Sequence, residues 1–293
     1  MPQSALQRKG TVERTMPFSV IMSVYKNDNP EHLNDALASV VNQTLQPSEI
    51  VIVGDGPVSD ACLEVIDRQT AIAAQDGIDI IFLPQDQNRG LGESLRIAVE
   101  NSRYDYVARM DSDDLSLPLR FEQEMRCFEE DSDLALVGGM ITEFVDKPDQ
   151  IIDKRILPLE DAEIKRFMRS RCGVNHVTVI MKKSELIRAG NYNNDYRQED
   201  YYLWARMIKA GCKFRNVPEV VVNVRSGRGQ FARRSGLSYY QDHMAIFRFM
   251  YREGLISLPR LIYNGVVRGL VQGLFPNWLR TLVYQKLLRS KNV

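Results

Sequence analysis

Two acidic clusters and one run of arginines in this chain have the composition of a reaction centre. Asp111-Ser112-Asp113-Asp114 sets three carboxylates within four positions, directly after the apolar run from Tyr106 to Met110. Such crowding is costly without a cation, and a hard divalent ion, Mg²⁺ or Mn²⁺, takes one or two carboxylates and completes its shell with water and phosphate oxygens. The competing use of Asp113 or Asp114 is to cap the helix that Pro118 helps begin. Glu199-Asp200 opens a segment with helical spacing as far as Ala210. Two carboxylates there either do acid–base work or complement the helix dipole. Arg225 to Arg234 carries four arginines in a Gly-containing loop, Arg225 and Arg228 first, suited to forked hydrogen bonds with phosphate. Asn175-His176 precedes another apolar run, so His176 is either a contact for acceptor or diphosphate or a structural histidine.

These groups need a scaffold that gathers them. Phe18 to Tyr25 is a β-rich apolar run, Asn29-Pro30 is an N-cap followed by proline at the first helical position, and Leu33, Leu37, Val40 and Val41 recur at helical spacing. Ile50 to Val53 reads as a strand covered on both faces. The alternation continues with a helix from Asp60 to Ala74, a strand from Ile78 to Leu83, a helix from Leu91 to Asn101 and a strand from Tyr106 to Met110. Such βαβ repetition predicts an α/β fold with a mostly parallel open sheet, helices on both faces and ligands at the carboxyl ends of the strands. Beyond Asp114 the spacing predicts a helix over Leu119 to Glu130, a strand near Leu134 to Val145 and a helix near Asp161 to Ser170. Further strands follow at Val177 to Met181 and Val220 to Val224. From Leu237 onward the pattern is helical, and Arg260, Asn264, Arg268 and Gln272 fall four apart as one polar stripe.

With 44% hydrophobic and 26% charged residues, the composition excludes disordered, collagen-like and disulfide-framework classes. Four scattered cysteines without a C-x-x-C pair give neither a zinc site nor a secreted scaffold, and fit a reducing cytosol. Residues 1–17, with Arg8, Lys9, Glu13 and Arg14 and no apolar stretch, read as a flexible tail rather than a secretory signal. Leu261 to Phe275 is the most apolar long window, and Asn264, Arg268 and Gln272 interrupt it, which argues against a membrane span. The net charge is zero, yet from Arg225 onward twelve basic side chains face two acidic ones. This split points to an anionic partner for the C-terminal segment: phosphate, acidic lipid or nucleic acid.

The ordered runs Phe18-Ser-Val-Ile-Met-Ser-Val-Tyr25, Leu37-Ala-Ser-Val-Val-Asn-Gln-Thr44, Ile50-Val-Ile-Val-Gly-Asp-Gly56, Asn88-Arg-Gly-Leu-Gly92 and Asp111-Ser-Asp-Asp114 together resemble family-2 glycosyltransferases of the GT-A fold. The likeness continues through Glu199-Asp200-Tyr201-Tyr202-Leu203-Trp204, similar to that family's ED-x-x-L-W segment, and so covers about residues 18–224. It implies a glycosyltransferase domain over 18–224, with a nucleotide-binding half at about 18–115 and an acceptor half at about 116–224. A basic, helical extension over 225–293 follows. It further implies that Val24 and Tyr25 flank the donor nucleotide, Asp55 binds its base and Arg89 holds the nucleotide or its phosphates. Asp111 and Ser112 would lie at the ribose and sugar, Asp113 would ligate the metal, and Asp200 would be the general base with Glu199 beside it. The loop departs from the family's commoner R-x-H-x-x-S pattern.

The implied reaction is inverting, metal-dependent transfer of a sugar, of the hexosyltransferase type, from a nucleotide-diphosphate donor, most often UDP, to a saccharide. A polyprenyl-diphosphate-linked acceptor in surface-polysaccharide synthesis and a peripheral place on the cytosolic face of the inner membrane accompany that reading. Trp278 and Arg280, Lys286, Arg289 and Lys291 would engage the anionic surface; the alternative for this segment is a helical layer packed on the catalytic domain or a dimer interface. Nucleic acid is not an expected partner. Nucleotidyltransferases and dinucleotide oxidoreductases are set aside because Ser23 to Asn29 contains no glycine. The remaining alternative is a non-catalytic nucleotide or nucleic-acid binding module, which would have no need of a base.

Overall fold

Apolar runs alternating with amphipathic helices in the first 110 residues fold as the sequence pattern dictates. The computed structural model describes residues 16–226 and 237–270. Strand β1 (Phe18–Val24) pairs in parallel with β2 (Glu49–Gly54) and β4 (Tyr106–Arg109), and β2 pairs in parallel with β3 (Asp79–Pro84). Side chains alternate across the sheet: Val20, Met22 and Val24 pack with one core, Ile21, Val51 and Val53 with the other. Helix α1 (Pro30–Val41) starts where Asn29 Oδ1 accepts from the Glu31 and His32 N–H groups, at 2.8 and 3.4 Å. Its buried face is Leu33, Ala36, Leu37, Val40 and Val41, the larger side chains contributing about 1.5–3 kcal/mol each. Helices α2 (Asp60–Ala73) and α4 (Arg120–Glu130) cover the same face of the sheet, and α3 (Leu91–Asn101) covers the other.

The rest of the sheet is built differently. The strand order is β3-β2-β1-β4-β8-β6-β9-β5, with β7 (Ile151–Arg155) beside β6 (Leu134–Phe144). Strand β8 (Ile180–Lys182) is antiparallel to both β4 and β6, whereas β6 and β9 (Lys213–Arg225) run parallel through three register shifts. One of the shifts spans Gly139, where the strands approach so closely that a Cβ would lie 2.5 Å from Val221 Cγ2. Three elements were not apparent from the pattern: the two-residue β5 (Leu115–Ser116), β7, and helix α6 (Lys183–Arg188). The strand expected over Val177 to Met181 is instead a 3₁₀ turn at His176–Thr178 followed by β8. Thr178 explains the change. Its hydroxyl donates to Asn175 O and accepts from Gly139 N–H, offering the backbone a partner outside the ladder.

Helices α5 (Asp161–Met168) and α7 (Glu199–Lys209) join the second face, and α8 (Leu237–Arg252) packs on α7 through Phe247, Phe249 and His243. Helix α9 (Leu258–Gly269) follows. Its polar stripe is present as far as Arg268 but turns inward; Gln272, Trp278 and the basic residues Arg280, Lys286, Arg289 and Lys291 lie outside the described residues. Asn264 is 3% exposed and donates to Arg169 O at 2.8 Å, while Arg268 donates to Ser170 O and lies over the Phe247 ring. Those carbonyls follow the C-terminus of α5 and carry its partial negative charge, which makes a polar stripe the favourable contact. Ile262, Tyr263 and Val266 are consequently 58%, 56% and 54% exposed. Among the described residues, no helix is long and apolar enough to cross a membrane, and all four cysteines are free thiols.

Candidate active site

The parallel register brings three loops to one edge: Val24 pairs with Gly54, and Arg109 aligns with Ile21. From the first loop, Asp28 Oδ2 accepts from the Tyr25 N–H at 3.1 Å and from the Ser112 hydroxyl at 2.8 Å, which ties the end of β1 to the acidic run. Val24 is buried beneath, and Tyr25 is exposed above. In the second loop the Asp55 carboxylate accepts from the backbone N–H groups of Arg89 (2.7 Å) and Gly90 (3.1 Å). Asp55 therefore fixes the entry to α3, while the Arg89 side chain extends to solvent. Gly90 sits at φ +89°, and a Cβ on Gly92 would lie 2.5 Å from Asn194 Oδ1. The glycines of Asn88-Arg-Gly-Leu-Gly92 thus let the Asn193-Asn194 loop seat against α3, where Asn194 Nδ2 donates to Arg89 O at 2.6 Å.

At the third loop, Arg109 grips Asp111 with both terminal nitrogens; the Nη1 to Oδ2 contact is 2.6 Å. Arg109 is buried, and its backbone is pinned in turn because Arg120 Nη2 donates to Arg109 O at 2.8 Å. Arg120 pairs with Glu124, both fully buried, and burial pushes the Glu124 carboxyl up to about 8 against the pull of that guanidinium. Asp113 reaches the surface at its tip, yet the surrounding protein, together with the charges of Asp111 and Asp28, pushes its carboxyl up to about 6. Asp28 is likewise raised, first by burial. Asp114 is buried, accepts from the Arg225 N–H at 2.8 Å, and is raised by burial and then by Asp111 and Asp113. Neither Asp113 nor Asp114 caps a helix, since β5 intervenes and Leu119 stands at the start of α4; the capping alternative is overturned.

The second carboxylate pair, Glu199 and Asp200, lies in the first turn of α7, and side chains place it. Helix α6 ends through Gly190 (φ +92°) and Asn191 (φ +52°), and Arg206 of α7 clamps that turn by donating to Ala189 O and Asn191 O at 2.9 and 2.6 Å. The clamp delivers Tyr192 into the interior, with its hydroxyl 3.0 Å from His176 Nε2. His176 also packs edge-on against Trp204, and burial followed by the charge of Arg109 holds its pKa well below the usual value. The ring is part of a packed aromatic cluster. Burial and then Asp200 push the Glu199 carboxyl up to about 7, with Arg109 pulling the other way. Cys172 Sγ stands 4.0 Å from Asp200 Oδ2. Asp111, Glu199 and Asp200 all act on Tyr192 electrostatically, which puts the acidic run and the α7 carboxylates within electrostatic reach of the same buried side chain.

Among the described residues no group of three or more side chains forms a ready-made metal cage. The crowding of Asp28, Asp111 and Asp113, of which Asp111 is paired with Arg109, nonetheless fits a hard cation that takes one or two carboxylates and shares the rest of its shell with phosphate. Arg225 Nε donates to Asp113 O at 3.1 Å, bringing one arginine of the basic run to this edge. Arg228 lies outside the described residues.

The family model for Glycosyl transferase family 2 matches residues 19–194. This chain is a family-2 glycosyltransferase. A Haemophilus influenzae protein described only as an uncharacterized glycosyltransferase is 36% identical over 94% of the chain and 100% of its own length. The Erwinia amylovora amylovoran biosynthesis glycosyltransferase AmsE is 34% identical over 79% of the chain and 84% of its length. The Escherichia coli UDP-Gal:alpha-D-GlcNAc-diphosphoundecaprenol beta-1,3-galactosyltransferase is 32% identical over 94% and 98%. The fold of this glycosyltransferase matches S. aureus TarS 1-349 in complex with UDP-GlcNAc, with a TM-score of 0.65, 15% identity, and 91% and 80% of the two chains covered. It also matches the Pyrobaculum calidifontis mannosyltransferase PcManGT in complex with GDP-Man and Mn²⁺, with a TM-score of 0.62, 16% identity, and coverage of 95% and 82%. The GT-A expectation stands, and the non-catalytic binding module gives way to an enzyme. The family match ends before α7, so the roles of Glu199 and Asp200 rest on geometry and on the local likeness.

Two groups of the site went unassigned in the sequence reading. Arg109 lay within an apolar run, where a lone arginine in a buried strand was the available signal. Asp28 lay in a polar strand end, and nothing in its spacing foretold the bond to Ser112.

Proposed function

We propose that this glycosyltransferase moves a sugar from a UDP-sugar to a saccharide with inversion at the anomeric carbon. The observation that carries the reading is the placement of two carboxylate clusters around Arg109 and Tyr192, one at the end of β4 and one at the start of α7. Val24, Tyr25, Asp55 and Arg89 line the nucleotide side, and Asp111 and Ser112 the ribose and sugar. Asp113, aided by Asp111, would hold Mn²⁺ or Mg²⁺, and such an ion supplies electrostatic stabilisation of the departing diphosphate. Asp200 accepts the proton of the acceptor hydroxyl as its oxygen bonds to the anomeric carbon, and the bond from that carbon to the nucleoside diphosphate breaks. Glu199 sits beside it with a pKa near neutrality, Arg225 lies beside Asp113 toward the diphosphate, and Arg228 of the same basic run is a further candidate for that contact.

In this reading residues 18–115 serve the donor, residues 116–224 the acceptor, and residues 225–293 form the basic extension. The relatives named for amylovoran synthesis and for a diphosphoundecaprenol acceptor support surface-polysaccharide assembly on a lipid-linked glycan. The outward apolar side of α9 and the basic residues that follow it support peripheral attachment to the cytosolic face of an anionic membrane.

The test is thermal-shift titration with UDP, GDP, CDP and ADP, with and without Mn²⁺, on wild type and D113A. A ligand that binds the native state raises its apparent stability. The expected result is a Mn²⁺-dependent shift with UDP that D113A abolishes. An undiminished shift in D113A would remove Asp113 from the metal site.

A further inference from the structure

Helix α9 and the C-terminal end of α5 enclose a surface groove of about 530 Å³ that the donor and base assignments do not use. Arg166, Arg171 and Arg260 line it, with Glu163 as the one acidic lining residue. Among the described residues no carboxylate pairs with Arg166 or Arg260; Arg260 instead lies over the Tyr263 ring, 5.6 Å from its centroid. Arg171 is braced over Phe167. Three guanidinium groups around one groove present forked donors of the kind that match phosphate oxygens.

The groove has a definite place relative to the base. Arg171 adjoins Cys172, whose sulfur is 4.0 Å from Asp200, and the Tyr201 hydroxyl donates to Met168 O at 2.5 Å. On its other side lies α9, held by Asn264 and Arg268 with its polar stripe inward. Leu258, Ile262, Tyr263, Val266 and Leu270 are left facing out, each at least 45% exposed. The base is thus tied to the α5 end of the groove through Cys172 and Tyr201, and the groove borders the helix that carries the apolar face. The next 23 residues of the chain hold four basic side chains and no acidic one, which extends the same charge preference.

We infer that the arginine groove binds the diphosphate of a lipid-linked acceptor, with its saccharide toward Asp200 and its hydrocarbon chain entering a membrane on which the outer face of α9 rests. This assignment rests on the proposed transferase reading for the direction of the sugar. An anionic, lipid-borne group follows from the arginine groove beside the apolar face, and its form as an isoprenoid diphosphate is supported by the acceptor named for the Escherichia coli relative. A soluble saccharide would need neither the arginines nor the exposed face, and a general anionic surface would not need a groove.

Co-sedimentation of the full chain with phosphatidylcholine vesicles, carrying either undecaprenyl diphosphate or phosphatidylglycerol at matched charge, tests it without donor or metal present. Wild type should bind the diphosphate vesicles about tenfold more tightly, the scale of one or two charge-assisted hydrogen bonds. R166Q/R260Q should lose that preference while keeping the wild-type melting curve, and V266D should weaken binding to both vesicle types. Equal binding of wild type to the two vesicle types would overturn the inference, as would an unchanged preference in R166Q/R260Q. Inorganic pyrophosphate that binds as tightly as the lipid would show the groove reading a free anion, and would also overturn it. Because UDP binding and turnover do not enter the assay, failure of the transferase reading would appear in the nucleotide titration and leave this result unaffected.

Discussion

The half of the sheet formed by β1 to β4 and the half formed by β5 to β9 hold their polar groups by different means. In the first, backbone register does the work: parallel strands of similar length end at one level, and the loops bearing Asp28, Asp55 and Asp111 emerge side by side. In the second, side chains do it. Thr178 and Asn175 tie the 3₁₀ turn to Gly139, Asn216 donates to Pro158 O and Gly173 O, and Arg206 closes the turn that carries Tyr192. An edge set by register survives many changes of side chain, whereas an edge set by individual hydrogen bonds can be re-aimed by a few substitutions. Enzymes that keep one donor chemistry and vary the acceptor would gain from that division.

The contrast can be broken most severely at Asp200. D200N should lower kcat by at least about 10²-fold with donor affinity nearly intact, on the scale of general-base loss, measured as initial rates beside UDP titration. Comparable losses in kcat and donor binding would mean that the halves are not separable. On the donor side the exposed point is the buried pair behind β4. R120M leaves Glu124 without its partner and should cost about 3–5 kcal/mol in chemical denaturation, whereas R120M/E124L should recover most of that. The double variant should still bind UDP more weakly, because Arg109 O has lost the Arg120 donor.

The smallest effect sharpens the comparison through pH. With the Glu199 carboxyl at about 7, the acceptor-side pair becomes fully ionised only above neutrality, so kcat/KM should rise with pH through about 7. In E199Q that limb should move to lower pH, since Asp200 no longer ionises beside a second carboxylate. The stability sign is opposite. A carboxyl raised from 4.5 to about 7 on folding contributes stability below 4.5 that is lost as pH climbs through 7, and E199Q should remove that loss in thermal melts.

The same division decides what could be read in the residues. Register-driven elements have a sequence signature of alternating apolar runs and capped helices, and α3 lies over Leu91–Asn101 as its pattern predicts. Asp55 and the glycines after Asn88 were legible through the family likeness, and not as partners in one hydrogen-bonded loop. The acceptor half has no comparable signature. Strand β8 has three residues, β5 two, and the turn at His176 depends on a threonine bonding to a glycine 39 positions away. The direction of α9 was equally hidden, because a polar stripe has the same spacing whether it meets water or the free carbonyls of another helix.

The fit of Gly92 against Asn194 has a consequence for recombination. The donor-side helix and the acceptor-side loop meet there with no room for a single added carbon, and the Asn194 amide closes the seam on Arg89 O. A hybrid that joins the first half of this enzyme to the second half of a relative would inherit a mismatched joint unless the glycine and the asparagine travelled together. The two halves are therefore tuned by separate rules but are heritable as one cassette, and this contact is the place to cut last.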